Sequence, residues 1–209
     1  MIVWAVVVAA GEGRRFGGPK QLAHLAGQRV LDWSIDAARA VAAGVVVVTP
    51  AHGLRLVPQA DLTVEGAATR AGSVRAGLSA VPEDADIVVV HDAVRPLATP
   101  ALFRAVVSAV EGGADGAIPA LPVTETLKRV DNDTVVTTVD RHNLGLVQTP
   151  QAFRAGMLRA AHEGHPEATD DAALVEAVGG TVVVVPGEHQ NLKLTVAQDL
   201  VVARALHRG

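Results

Sequence analysis

Residues 9–20, AAGEGRRFGGPK, set two arginines and a lysine among alanines, glycines and a proline, directly after the apolar run MIVWAVVV. Side chains that small let a backbone approach a ligand closely, and Arg14, Arg15 and Lys20 supply the charge an anion would meet. A phosphate group is the ligand such a stretch suits. Two well-known phosphate loops do not fit it. A dinucleotide loop needs G-x-G-x-x-G and an acid closing the second strand. Gly11 and Gly13 match, but Phe16 holds the third glycine position and the second strand ends VVVVTPA. A Walker A loop needs Gly-Lys-Ser/Thr, whereas Lys20 stands between Pro19 and Gln21. What remains is a small-residue turn that admits a nucleotide, followed by three cations, which suits a triphosphate better than a pyrophosphate bridge. The alternative is a solvated loop with incidental charge.

Such a loop needs a rigid frame. Valine- and isoleucine-rich runs predict strands over 3–9, 45–49, 62–65, 87–91, 116–121 and 181–185. Helical spacing predicts helices over 31–43, 73–80, 100–110, around 153–162, 171–178 and 197–207, and a Pro- and Gly-punctuated stretch follows residue 49. Continuous apolar strands joined by helices imply a parallel sheet covered on both faces. One segment breaks the alternation. LKRVDNDTVVTTVDR, 127–141, alternates apolar and polar residues around Asp-Asn-Asp and reads as a β-hairpin, an arm projecting from the domain.

The remaining bounds agree with one domain. The chain has 209 residues, 49% hydrophobic and only 2% aromatic, which fits valine strands under alanine-rich helices. With no cysteine, neither disulfides nor thiolate zinc sites hold the fold. No positive region precedes the apolar start, so it does not read as a secretory signal, and no run reaches the roughly 20 residues of a membrane span. A soluble, cytoplasmic protein is expected. The net charge of −4 argues against non-specific nucleic-acid binding. HEGH, 162–165, offers two histidines but no third metal ligand, and reads as a helix end. EDAD, 83–86, reads as a solvated turn, and His91 as a sheet-end histidine.

AAGEGRRFGGPKQ resembles the signature loop of nucleotidyltransferases that join a sugar or polyol phosphate to a nucleotide. HDAVRP (91–96), TETLKRV (124–130), VDRHNLGLVQTPQAF (139–153), TDDA (169–172) and NLKLT (191–195) then follow in the order of the 2-C-methyl-D-erythritol 4-phosphate cytidylyltransferase family. The resemblance runs from Val3 to the last helix. It implies an α/β fold: one domain over 1–209 with a Rossmann-like, mostly parallel sheet flanked by helices, and a hairpin arm over about 123–143. It also implies transfer of a cytidylyl group from CTP to the phosphate of methylerythritol phosphate, in isoprenoid-precursor synthesis by the non-mevalonate route. In the family Mg²⁺ is carried mainly by the triphosphate, and no protein metal site is expected.

Carried over by position, Arg15, Lys20 and Lys193 supply charge at the reacting phosphorus. Ala9, Ala10, Gly11, Gly13, Ala67, Ser73 and Ala93 hold the nucleotide, with Ser73 either donating to the base or capping a helix. Asp92, Arg95, Thr126, Arg141 and Thr169 serve the acceptor, Arg141 also counting as catalytic. Asp92 either meets the acceptor's hydroxyls or, as a strand-end acid, bonds the backbone. In relatives the arm crosses a homodimer, so Arg141 and Thr126 serve the neighbouring subunit; Lys128 and Arg129 read as solvated arm charges. The chain departs from the family in four places: Ala67 for a glycine, Gly72 for an acid, Gly145 for an aromatic and Asp171 for a glutamate. Rival readings are a ribitol-5-phosphate cytidylyltransferase and a non-catalytic nucleotide-binding protein of the same fold.

Overall fold

The computed structural model describes residues 1–53, 57 and 59–207. From β1 (Val3–Val8) the chain enters the glycine-rich loop, which holds single-turn helices at Arg14–Phe16 and Lys20–Leu22. A small hairpin, β2 (His24–Leu25) and β3 (Gln28–Arg29), leads to α1 (Val30–Arg39). Then come β4 (Gly44–Thr49), β5 (Leu62–Glu65), α2 (Arg70–Ala80), β6 (Ile87–Asp92), α3 (Pro100–Glu111) and β7 (Gly116–Pro122). The arm is β8 (Leu127–Asp131) and β9 (Thr134–Val139). The chain returns through β10 (Gly145–Val147) and β11 (Gln151–Arg154), and continues with α4 (Ala155–Ala161), α5 (Asp171–Ala177), β12 (Val182–Pro186) and α6 (Ala197–His207).

Eight strands form a mostly parallel sheet. β1 pairs in parallel with β4 and β6, β5 extends β4, and β12 joins β7 in parallel. β11 runs antiparallel between β6 and β7, and β10 pairs antiparallel with the far end of β7. The register is level: Val8 faces Val48 on one side and Asp92 on the other, and Thr49 faces Glu65. The loops leaving β1, β5 and β6 therefore meet at one edge, where ligands of such sheets are bound.

Alternate valines serve opposite faces. Val7, Val47 and Val89 pack under α1 and α3 with Ile35, Phe103 and Val106. Val6, Val46 and Val88 pack under α2, α4 and α5 with Val74, Leu158 and Val175. A third cluster, Leu25, Val30, Val94, Leu194 and Ala203, ties β2–β3, the NLKLT segment and α6 together. At this seam the Trp33 indole N–H donates to the Leu25 carbonyl at 2.9 Å, and its ring meets His207 edge-on at 4.7 Å between centroids. Trp4 of β1 covers Gly44, where a Cβ would come within 2.4 Å of the indole.

The expected fold class holds, with local corrections. The helix expected over 73–80 starts at Arg70, because the Thr69 hydroxyl accepts the Gly72 N–H at 3.0 Å and caps it there. α1 stops short of residue 43, since the Ala43 N–H pairs with Val3 of the sheet at 2.8 Å. Residues 153 and 154, expected as the start of a helix, belong to β11, held by strands on both sides. β10 and β2–β3 were not expected. The stretch after residue 49 falls partly outside the described residues. No helix among the described residues is long and apolar enough to cross a membrane.

Candidate active site

At the meeting edge lies an open pocket of about 660 Å³. The glycine-rich loop makes one wall, bringing Ala9, Ala10, Gly11, Gly13, Arg15 and Lys20 to it. The loop is knotted on itself: the Gly13 carbonyl accepts N–H groups of Phe16, Gly17 and Gly18 at 2.8, 3.1 and 3.3 Å. Gly13 has a φ of 68°, and a Cβ there would sit 1.9 Å from the Gly18 carbonyl oxygen. No other residue fits. Arg15 remains exposed at the pocket, while Arg14 pairs with Glu12 at 2.8 Å in an exposed bridge. Lys20 is half-buried and donates to the Leu194 carbonyl at 2.7 Å. Burial lowers its pKa below the usual lysine value, helped by the charges of Lys193 and Arg15.

The turn before α2 forms the second wall with Ala67 and Ser73. Ser73 does not cap the helix. Buried, its hydroxyl oxygen accepts the Ala67 N–H at 3.1 Å and stands 2.9 Å from the Thr69 carbonyl, fixing the turn. The departures at 67 and 72 are coupled: a Cβ on Gly72 would lie 2.8 Å from the Ala67 methyl. The methyl at 67 takes the room that a side chain at 72 would need.

Asp92, at the end of β6, stands opposite. Its carboxylate meets two cations rather than backbone, with Oδ2 2.7 Å from Lys193 Nζ and Oδ1 3.3 Å from Arg70 Nε. Burial alone would raise its pKa, but the Arg70 and Lys193 charges outweigh that and hold it well below the usual carboxylate range. Arg70 also pairs with Asp171 at 2.8 Å. Its burial opposes charge, yet the two carboxylates keep its pKa above the ordinary arginine value. Sequence reasoning missed Arg70, although it is the one charged residue of GAATRAGS, at the first turn of α2.

Behind the pocket a polar layer holds the Lys193 segment. Asn191 Nδ2 donates to Gln148 Oε1 at 3.2 Å and to the Thr149 carbonyl at 2.9 Å, and the Leu194 N–H donates to Val94 at 2.9 Å. Arg95 belongs to this layer and does not line the pocket: its guanidinium donates to the Asn191 carbonyl at 2.8 Å, and burial lowers its pKa. Ala93 is fully buried with both backbone groups used, its N–H on Val8 and its carbonyl accepting from the Ser34 hydroxyl, each at 3.0 Å. His91 lies below, 3.1 Å from the Thr149 hydroxyl, and burial drops its pKa to about 3. Thr126 and Arg141 sit exposed at the arm, where Arg141 donates to the Thr124 carbonyl, and Thr169 is exposed before α5. None of these three lines this pocket.

The pocket thus sets a cationic wall against small apolar residues and an acid neutralised by lysine and arginine. It can take a polyphosphate on the first and a flat group against the second. The family model for IspD, 2-C-methyl-D-erythritol 4-phosphate cytidylyltransferase, matches residues 3–208. The 2-C-methyl-D-erythritol 4-phosphate cytidylyltransferase of Rubrobacter xylanophilus is 44% identical over 216 residues, covering 97% of this chain and 93% of its own. That of Saccharopolyspora erythraea is 44% identical over 225 residues, 99% of each chain. The crystal structure of the Thermus thermophilus enzyme of the same name matches with a TM-score of 0.85 at 36% identity, over 98% of both chains. A family match over nearly every residue, joined to the cation wall of its signature loop, places the chain in the 2-C-methyl-D-erythritol 4-phosphate cytidylyltransferase family.

Proposed function

We propose that the protein transfers the cytidylyl group of CTP to 2-C-methyl-D-erythritol 4-phosphate, with release of pyrophosphate, in isoprenoid-precursor synthesis. The observation that carries this reading is the gathering of Arg15, Lys20 and Lys193 on one pocket that the small residues Ala10, Ala67 and Ser73 also line. A phosphate monoester has its second pKa at about 6 and is an anion at neutral pH, so it attacks the α-phosphorus without a general base. The barrier is anion–anion repulsion and the charge that builds on the α-phosphoryl oxygens. Lys20, pinned to Leu194, and Arg15 stabilise that charge from the loop side. Lys193, balanced by Asp92, brings the acceptor phosphate in line from the other.

Small residues at 9–11 and 67 leave backbone groups free to approach and read a pyrimidine edge. Among the described residues no group of three or more His, Asp or Glu side chains gathers for a metal, and Asp92 already faces two cations. Mg²⁺ would then be carried by the phosphate oxygens of CTP, where it would neutralise charge. Arg141 and Thr126 reach an acceptor phosphate in a neighbouring subunit, the arm joining a homodimer; the enzyme works in the cytoplasm, with neither membrane nor nucleic acid as partner.

Pyrophosphate release measured with methylerythritol phosphate and ribitol 5-phosphate side by side tests the reading. CTP is expected to be turned over far faster than ATP or GTP, with UTP the nearest competitor, and methylerythritol phosphate to be the better acceptor. Equal rates with GTP would overturn the cytidylyl assignment, and a preference for ribitol 5-phosphate would replace the acceptor.

A further inference from the structure

HEGH collects no metal, yet its first histidine has a specific place. His162 follows α4, its N–H accepted by the Leu158 carbonyl at 3.2 Å, and its ring is buried. Nε2 stands 3.1 Å from Oδ1 of Asp171, which is fully buried in the first turn of α5. The other Asp171 oxygen takes Arg70 at 2.8 Å, Arg70 reaches Asp92 at 3.3 Å, and Asp92 holds Lys193 at 2.7 Å. Five side chains thus run in one line from beneath α4 to the reacting end of the pocket. The same contact closes residues 163–170 at their base. That segment is tied to α2 at Pro166 and Glu167, where Arg75 donates at 2.7 and 2.9 Å and the Thr69 hydroxyl at 2.9 Å, and it carries Thr169.

We infer that His162 is a positioning residue for the acceptor half of the site, acting through Asp171 and Arg70 on Asp92 and Lys193. The weak point of the line is the 3.3 Å contact between Arg70 and Asp92, longer than a usual charge-assisted bond. A small shift of Arg70 breaks it. Asp171 has two oxygens and both are engaged, so its carboxylate cannot turn while His162 holds one of them. Without His162 the carboxylate is free to follow Arg70 away from Asp92. Asp92 is then left to Lys193 alone and draws that ammonium away from the incoming phosphate. The glycine-rich loop, which holds the nucleotide, has no member in the line.

The inference rests on the cytidylyltransferase reading, and steady-state kinetics with each substrate varied in turn tests it. His162→Ala is expected to raise the KM for methylerythritol phosphate about tenfold while that for CTP stays within about twofold, the scale of a small misplacement at a reacting centre. His162→Gln, whose side-chain amide can donate to Asp171, is expected to recover most of the loss. Arg70→Gln with His162→Ala is expected to be no worse than Arg70→Gln alone, because both break one line. His162→Phe, which keeps a ring but no donor, replaces the alanine variant if that fails to fold. Equal rises in both KM values, a glutamine variant as impaired as alanine, or losses that multiply in the double variant would each overturn the inference. Wild-type turnover of methylerythritol phosphate is the control: its absence overturns the functional reading and this inference together, whereas its presence without the split overturns the inference alone.

Discussion

Burial first, then the like charges of Lys193 and Arg15, disfavour the half-buried Lys20 ammonium, and Asp92 and Asp199 offset them only in part. Removing one preorganised donor from such a site costs on the order of 10²-fold in kcat, and Lys20→Ala or Arg15→Ala is expected to show that loss in single-turnover measurements. A change confined to the KM for CTP would reduce the residue to a triphosphate holder. His91 poses a different residue-scale question. Burial drops its pKa from 6.5 to about 3, so the unfolded chain binds the proton more readily than the folded one. Its stabilisation is complete above pH 6.5 and is lost as the pH falls toward 3. Asp92, whose carboxyl is held below its usual range, loses stabilisation in the same direction but at lower pH. Urea midpoints are expected to fall between about pH 6.5 and about pH 4, and His91→Gln to flatten that slope.

The arm belongs to the next scale. Among the described residues β8 and β9 pair only with each other, turning through Asn132 and Asp133 at φ of 43° and 63°, and leave Val130, Val135 and Val136 more than half exposed. A two-stranded hairpin is marginal in water, so these valines need a cover. Replacing 127–139 by a short glycine turn is expected to leave the far-UV spectrum of the α/β body intact and to abolish a two-chain species in sedimentation. A two-chain species that survives the deletion would place the interface elsewhere. Elements differed in how plainly the sequence announced them. Valine runs buried on both faces, and the glycine-rich loop at the end of the first, are patterns of neighbouring residues and were legible. β11 was not, because QAFR has no β-branched residue and is extended only by its partners on both edges. α2 began early through a threonine cap inside what read as loop. Arg70 escaped notice because its partners lie 22 and 101 residues away, a distance at which no local pattern survives.

For the whole molecule the decisive fact is that Arg141 and Thr126 do not line the pocket of their own chain. In the proposed two-fold dimer, exchange of arms would make the sites reciprocal. Mixing Arg141→Ala with Lys20→Ala subunits, each nearly inactive alone, is expected to restore activity, since a heterodimer then holds one site with both defects and one with neither. With random exchange about half the dimers are mixed, giving roughly a quarter of wild-type sites. No recovery despite demonstrated exchange would return Arg141 to its own subunit. The two tryptophans stand in different parts of this machine, and the chain has no tyrosine to obscure their light. Trp4 is pressed on Gly44 inside the sheet, whereas Trp33 sits at the seam where Leu25, Leu194 and α6 meet and where Lys20 is anchored. The molecule therefore carries two lamps on separate circuits. The first is expected to dim only when the sheet opens; the second is expected to change its emission when CTP is added, so that binding is followed without any dye.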